Sequence, residues 1–200
     1  CTVATAHHVQ RYFAHTEGTF NRIECWTPDA GGASFWLVQA ADGTLHQYGR
    51  TSQARIADPA HPDSHIAQWL LEASLSVNGE QIRYEYASDE NTVNAEGREQ
   101  GTSSVLKLIR YGNRQACADL SAPISPQDWH FTLLFSYTDA AAPLEQQAAW
   151  DDVVTPRQDA FCRYDYGFEL RTRRLCRQVL MYHRFAELAT DAWVLVKRMG

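Results

Sequence analysis

Eight histidines are the side chains best suited to metal or acid–base chemistry in this 200-residue sequence. A zinc or catalytic site needs several such groups to converge on one point. His61 and His65 are four residues apart, but Pro62 lies between them and should break the helix that would align both imidazoles. His7-His8 is an isolated pair. We therefore expect surface or hydrogen-bonding histidines and no metal site.

Carboxylate pairs and sequence motifs point no more strongly to catalysis. Asp89-Glu90 and Asp151-Asp152 lie in polar connecting segments, where solvated charge is the usual state. The chain lacks HExxH, GxSxG and the phosphate-binding G-x-x-x-x-G-K-[ST] motif. It also lacks the Glu-x-Glu pair of ADP-ribosyltransferases, and nothing indicates the two facing carboxyls of a glycosidase. We predict no enzyme, no catalytic residue and no cofactor.

The densest charge feature is a run of arginines near the end of the chain: Arg171, Arg173, Arg174, Arg177 and Arg184. A solvated sheet face, or salt bridges with the excess acids, is the simplest interpretation. Contact with an anion or a partner is the alternative. Arginine also stacks on aromatic rings, and Tyr164, Tyr166 and Tyr182 are close in sequence.

Composition bounds the class of protein. The chain has 18 basic and 24 acidic residues, for a net charge of −6, which argues against nucleic-acid binding. No stretch reaches the about 18 apolar residues of a membrane-spanning helix, so we predict no membrane insertion. The first residue is Cys1 and no leader-like segment follows it, which suggests a piece of a longer chain.

Five scattered cysteines without a CxxC pair predict mostly buried free thiols: Cys1, Cys25, Cys117, Cys162 and Cys176.

Alternating hydrophobicity predicts antiparallel strands, in keeping with an aromatic content of 12%. In residues 81–86, Ile82, Tyr84 and Tyr86 face one way and the polar residues the other. Residues 130–137 repeat this pattern. Residues 35–38 and 105–111 indicate more fully buried strands, and residues 20–26 a weaker one.

Two dipeptides predict hairpin turns between such strands. Asn78-Gly79 and Asp42-Gly43 are strong signals for a two-residue turn in which both central residues have positive φ. Their glycines are 36 residues apart, which hints at a repeated hairpin unit.

Two segments, 64–74 and 175–183, fit helix and strand equally well. Long polar connectors span residues 88–103, 113–128 and 138–159, a length typical of functional loops or partner contacts.

Ordered motifs along residues 10–198 resemble one family. They are Thr16-Glu17-Gly18, Phe35-Trp36, Tyr48-Gly49-Arg50-Thr51, and residues 54–59, 66–72, 84–86, 108–113, 163–169, 171–177 and 179–185. Together they resemble the SpvB-type N-terminal region found in the B component of bacterial Tc insecticidal toxin complexes. The connectors 88–103 and 138–159 do not carry the resemblance.

The resemblance implies a mainly β, RHS-related segment, residues 1–200, made of antiparallel hairpins that form a curved shell wall with few or no helices. It favours strand for both ambiguous segments. It implies a secreted, non-catalytic toxin component, assembled with a C component into a shell that encloses the toxic fragment of C. A following β-propeller would dock this shell on the A pore component, and assembly in the cytoplasm could precede release. The alternative is an independent β-domain that binds carbohydrate through exposed Trp and Tyr.

Overall fold

The computed structural model describes residues 6–88, 103–120, 125–138, 157–189 and 192–200. Strands dominate these residues, and one four-residue helix, α1 (Ala186–Ala189), and two 3₁₀ turns complete the regular structure. The strands are β1 (His7–Tyr12), β2 (Arg22–Pro28), β3 (Phe35–Gln39), β4 (Leu45–Tyr48), β5 (Arg55–Ala57), β6 (Ile66–Trp69), β7 (Leu71–Leu75), β8 (Gln81–Ser88), β9 (Ser104–Asn113), β10 (Trp129–Ser136), β11 (Phe161–Arg163), β12 (Leu170–Thr172), β13 (Gln178–Arg184) and β14 (Trp193–Met199).

Ten of these strands form one open antiparallel sheet in the order β1-β2-β3-β4-β7-β8-β9-β10-β13-β14. Two separate pairs, β5-β6 and β11-β12, lie outside it. The predicted antiparallel β fold is confirmed, and both ambiguous segments contain strands. Alternating and aromatic residues pack well on a pleated surface, which explains why strand wins over helix there.

Both predicted hairpins form, but their turns differ from the prediction. Gly43 and Gly79 have positive φ (86° and 81°), whereas Asp42 and Asn78 do not. The N–H of Gly43 donates to the carbonyl of Ala40 at 3.0 Å. The N–H of Gly79 donates to the carbonyl of Ser76 at 3.0 Å. Each loop is therefore a three-residue connection, a type I turn closed by a left-handed glycine, in which Asp or Asn needs no positive φ.

The core lies on one face of the sheet, here called the core face. One cluster joins four buried residues of β9, β10 and β13: Leu108, Leu134, Leu180 and Tyr182. A second cluster places Leu120, from the loop after β9, against Ala73 and Leu75. Burying a leucine side chain stabilises the fold by about 1.5–3 kcal/mol, so these clusters anchor both halves of the sheet.

At the start of strand β8 the polar side chain is buried and the apolar one is exposed, the reverse of what the alternating sequence predicts. Gln81 is only 1% exposed, whereas Ile82, from the apolar set, is 36% exposed. Arg83 lies on the same face as Gln81, and its Nη2 donates to the carbonyl of Leu120 at 2.6 Å. The loop after β9 therefore covers the polar face of β8, because arginine can bury its stem while its donors bind main-chain oxygen.

Register shifts interrupt the main sheet at three places, between Gln47 and Tyr48, Glu85 and Tyr86, and Met181 and Tyr182. An extra residue on one strand of a pair increases the local twist and bends that strand. The three shifts therefore add local twist at separate places across the sheet.

The cysteines depart in part from the prediction. Cys25 and Cys117 are half-buried free thiols, and Cys162 and Cys176 are exposed, so none of the four described cysteines is fully buried and the prediction of mostly buried thiols is wrong. Cys162 lies on the exposed strand β11, where its thiol donates to a carboxylate oxygen of Glu169 at 2.9 Å. Within the described ranges, the helical segments fall short of the length and apolar character of a membrane-crossing helix.

Candidate functional site

A groove of about 700 Å³ crosses the core face between β1 and the loop after β9. Its lining combines aromatic rings with both signs of charge. Trp26 and Phe35 line one end, and Arg83, Glu85 and Arg110 line the other. The volume lies within the range of small-molecule sites, about 300–1,000 Å³.

Most charges in this groove bind neighbouring groups of the chain. Arg110 forms an ion pair with Glu85 across β8 and β9. Glu72 accepts a hydrogen bond from the N–H of Thr51 at 3.0 Å. Burial lowers the pKa of Arg83, although the nearby Glu72 carboxylate opposes that shift. These groups tie the loops to the sheet, and a ligand would have to displace existing bonds to use them.

The aromatic end of the groove is built by neighbouring strands. The Arg50 guanidinium lies 4.2 Å above the ring of Phe35, a cation–π contact. His7 meets the rings of Trp26 and Phe35 edge to face, with centroids 5.7 and 5.6 Å away. This arrangement can bind apolar or anionic groups, and sequence reasoning missed it because its members come from β1, β2, β3 and the segment after β4.

The predicted separation of His61 and His65 is wrong. The N–H of His65 donates to the carbonyl of His61 at 2.9 Å, and the two ring centroids are 5.2 Å apart. Pro62 permits this single turn because the first position of a helical turn needs no N–H donor. Oδ2 of Asp58 lies 3.4 Å from Nδ1 of His65. The pKa of Asp58 is lowered, mainly because its carboxylate accepts a hydrogen bond from the N–H of Ala60. Among the described residues, however, no three potential ligands are placed to hold a metal ion.

The other candidate residues do not converge on one site. Asp89-Glu90 and Asp151-Asp152 lie outside the described residues. Of the arginine run, Arg171 is in β12, Arg173 and Arg174 follow it, and Arg174 is buried. The carbonyls of Arg171 and Arg173 accept hydrogen bonds from Ser103 and Arg157. This segment is thus integrated into the fold.

The aromatic residues that the carbohydrate alternative names differ in exposure. Trp129 is buried, and the other four tryptophans of the described segments are half-buried: Trp26, Trp36, Trp69 and Trp193. Trp150 lies outside these segments. Tyr164 and Tyr166 are exposed near the β11-β12 hairpin, but Tyr182 is fully buried. Of the exposed Trp and Tyr that the carbohydrate alternative named, the described part of the chain therefore offers exposed tyrosines and only buried or half-buried tryptophans.

Comparison with known proteins decides the family. The family model described as SpvB, Salmonella virulence plasmid 65kDa B protein, matches residues 1–185. The chain belongs to the SpvB family. Mono(ADP-ribosyl)transferase SpvB of Salmonella typhimurium (strain 14028s / SGSC 2262) is 38% identical over 201 residues, which cover 96% of this chain and 34% of that protein. The chain therefore spans about a third of the length of the curated relatives it matches.

Solved structures show the same SpvB fold. The N-terminal domain of effector protein SpvB from Salmonella typhimurium strain LT2 matches with a TM-score of 0.81 and 36% identity, over 97% of this chain and 63% of that one. A chain of the TcdB2-TccC3-Cdc42 crystal structure matches with a TM-score of 0.79 and 38% identity, over 96% of this chain and 10% of that one. A chain of the Photorhabdus luminescens Tc holotoxin pore structure, with the TccC3 mutation D651A, matches with a TM-score of 0.79 and 37% identity. The match covers 97% of this chain and 10% of that one.

These comparisons correct one prediction. The sequence predicted no enzyme, yet the SpvB relatives carry the name mono(ADP-ribosyl)transferase. The prediction failed because it searched this segment for catalytic motifs, whereas an enzyme name belongs to a whole protein of which this chain matches 34%.

Proposed function

We propose that the chain is a wall segment of a Tc-type toxin component, with residues 1–200 as one unit, and that this wall encloses a cytotoxic fragment. One observation carries the proposal: the chain matches a tenth of a much longer chain in the TcdB2-TccC3 structures over almost its whole length. The segment would thus be one portion of a larger sheet-built assembly.

The sheet has the properties that such a wall needs. Its strands follow one another as neighbours, so further strands can be added at either side without rearrangement. Its bulges supply curvature. In the described part of the chain, β1 and β14 end the sheet without a further partner strand, and a sheet that continues into a shell needs such pairing edges.

Partners and location follow from the same proposal. Taking TcdB2 and TccC3 as the B and C components, we infer that the chain assembles with a C component and, through a larger protein, with an A pore. Such a protein is exported from a bacterium. The net charge of −6 favours protein partners over nucleic acid.

A chimera tests the proposal. The matching segment of TcdB2 is replaced by this chain, and co-elution with TccC3 is measured by size-exclusion chromatography. We expect a stoichiometric complex. A chimera with Leu134→Asp, which puts a charge into the buried cluster, is the matched control and should fail to assemble. A chimera that folds with native thermal stability but does not retain TccC3 would refute the proposal.

The relatives' name supports a second candidate, a protein with mono(ADP-ribosyl)transferase activity. The chain would then accompany or contribute to transfer of ADP-ribose from NAD to a protein. Incubation with labelled NAD and a eukaryotic cell extract tests this. Label on an extract protein that requires the folded chain supports the activity, whereas label equal to that of the heat-denatured chain rejects it for this segment.

A further inference from the structure

The loop between β5 and β6 brings two histidines together on the surface. We call residues 58–65 the His loop. The N–H of Asp58 donates to the carbonyl of His65 at 2.9 Å and closes the loop at its base. The N–H of His61 donates to the carbonyl of Asp58 at 3.0 Å. Pro62 takes the first position of the helical turn that follows, for which its fixed φ is suited. Main-chain bonds thus hold both histidines in one short, defined loop.

The separation of the two imidazole rings fits coordination of one metal ion. Histidines four residues apart on a helical turn lie on one face, the spacing by which HExxH motifs supply two zinc ligands. When two imidazoles bind one tetrahedral Zn²⁺ at about 2.0–2.1 Å, their ring centroids lie about 5 Å apart. The centroids of His61 and His65 are 5.2 Å apart. Both side chains are exposed, so rotation of the rings can aim the two Nε2 atoms at a common ion without moving the backbone.

A carboxylate already orients one of these rings. The Nδ1 atom of His65 faces the Asp58 carboxylate, and Oδ1 of that carboxylate accepts a hydrogen bond from the N–H of Ala60 at 3.0 Å. The carboxylate is therefore fixed in place by the loop itself. Metal-binding histidines usually donate their second ring N–H to a carboxylate in this way, which leaves the lone pair on the other nitrogen. Nε2 of His65 is thus the atom available to bind a metal ion.

The charge around the His loop suits a cation. Residues 55–66 contain two carboxylates, Asp58 and Asp63, and one arginine, Arg55, a net charge of −1 with the histidines neutral. Nη2 of Arg55 lies 3.8 Å from Oδ1 of Asp63, so these two charges offset each other and the excess charge is that of Asp58. In the described part of the chain no third histidine, cysteine or carboxylate is placed to bind the same ion. Its remaining coordination positions would be open to water.

We propose that His61 and His65 bind a Zn²⁺ ion through their Nε2 atoms, with Asp58 as the carboxylate partner of His65 and water completing the coordination. Imidazole is a favourable ligand for zinc, and an ion with two protein ligands exchanges with solvent more readily than the four-ligand zinc of a structural site. The site replaces the sequence-based expectation of no metal site. It is independent of the proposed function, because the β5-β6 pair lies outside the main sheet.

Titration of the full chain with Zn²⁺ tests the site. Because cysteine thiolates also bind zinc, the readout is NMR of ¹⁵N-labelled histidine side chains. We expect zinc to shift the Nε2 resonances of His61 and His65 together, with one midpoint. Mg²⁺, which prefers oxygen ligands, should leave both unchanged. Zinc-induced shifts confined to other histidines, or different midpoints for these two, would overturn the proposal.

Matched variants separate the pair from other zinc ligands. His61→Ala and His65→Ala should each raise the zinc concentration at half-saturation of the remaining ring at least about tenfold, because one imidazole no longer chelates. His15→Ala, at another exposed histidine, is the control and should leave the midpoint unchanged.

A further variant tests the carboxylate. Asp58→Asn keeps both ligands but loses the charged partner of His65, so it should raise the midpoint about tenfold. Thermal unfolding without zinc checks that each variant is folded. A midpoint in folded His61→Ala equal to that of His15→Ala would overturn the site. A zinc-dependent dimer would overturn it too, since the ion would then take ligands from two copies.

Discussion

The turns of the β3-β4 and β7-β8 hairpins share one backbone conformation but not one environment. In each, a glycine N–H donates to a carbonyl three residues earlier, at 3.0 Å. Gly43 of the first turn faces the side chain of Val77, whereas Gly79 of the second turn lies against the backbone of the segment that follows β9. Local sequence therefore sets the shape of a turn, while contact with a distant segment decides how strongly the stability of the protein depends on that turn.

Contacts at the two glycines show the difference. A Cβ on Gly43 would lie 2.5 Å from Cγ1 of Val77, the end of an exposed side chain. A Cβ on Gly79 would lie 2.8 Å from Cβ of Ala116, 2.9 Å from the carbonyl oxygen of Cys117 and 3.0 Å from its nitrogen. A side chain can rotate away, but this backbone is held because the Cys117 N–H donates to the Gly79 carbonyl at 2.9 Å.

Gly79→Val should give the largest effect. A β-branched residue is strained at positive φ and would also push the 114–120 segment off the turn, so we expect a loss of about 3 kcal/mol. Urea denaturation followed by tryptophan fluorescence measures it. A loss no greater than that of Gly43→Val would remove the distinction between the two turns.

Asn113→Ala should follow, because this side chain holds the second turn from β9. Its Oδ1 accepts from the Gln81 N–H at 2.7 Å, and its Nδ2 donates to the Gly79 carbonyl at 2.9 Å. The substitution would leave the Gln81 N–H unpaired, whereas the Gly79 carbonyl would keep its bond from the Cys117 N–H, so the loss should be about 2 kcal/mol. Asn113→Asp keeps the acceptor but loses the donor, so its unfolding free energy should fall between those of wild type and Asn113→Ala.

Gly43→Val should cost about 1–2 kcal/mol, the strain of positive φ plus a contact that can relax. A double-mutant cycle with Val77→Ala sharpens this prediction. Shortening Val77 should recover the steric part of the loss in Gly43→Val and none of it in Gly79→Val. Equal recovery in both backgrounds would contradict the packing described for the two glycines.

The smallest effect concerns pH. Hydrogen bonding from the Thr44 N–H lowers the pKa of Asp42 below 3.8, whereas the corresponding position of the other turn is Asn78. A depressed folded pKa gives stability that is present above pH 3.8 and is lost as pH falls through the folded value. Asp42→Asn should therefore differ from wild type at pH 7 and converge with it near pH 2, as thermal unfolding can measure. A constant difference across that range would disprove the role of the charge.

The sequence predicted much of this fold because alternation and turn residues are local properties. Strands β3, β8 and β10 and both hairpins were all indicated by short segments. The type of turn was mispredicted, since Asn-Gly and Asp-Gly fit both a two-residue turn and a three-residue turn with a left-handed glycine. The pairing of His61 with His65 was missed because Pro62 was judged by its cost inside a helix and not at the start of a turn.

Less of the candidate sites could be predicted. The burial of Gln81 depends on residues 114–120, which are distant from it in sequence. The pairing of Arg11 and Arg22 with Glu24 depends on the β1-β2 register, and the positive φ of Phe20 leaves no mark on hydrophobic periodicity. The enzyme name of the relatives could not follow from any residue within this segment.

The strand order has a mechanical consequence. Each strand of the main sheet lies beside the main-sheet strand that precedes it in the chain, so the chain can add each one to a finished edge as it leaves the ribosome. The reverse also holds: a pull on the last strand loads one ladder of hydrogen bonds at a time, so the sheet should open stepwise, like a zip.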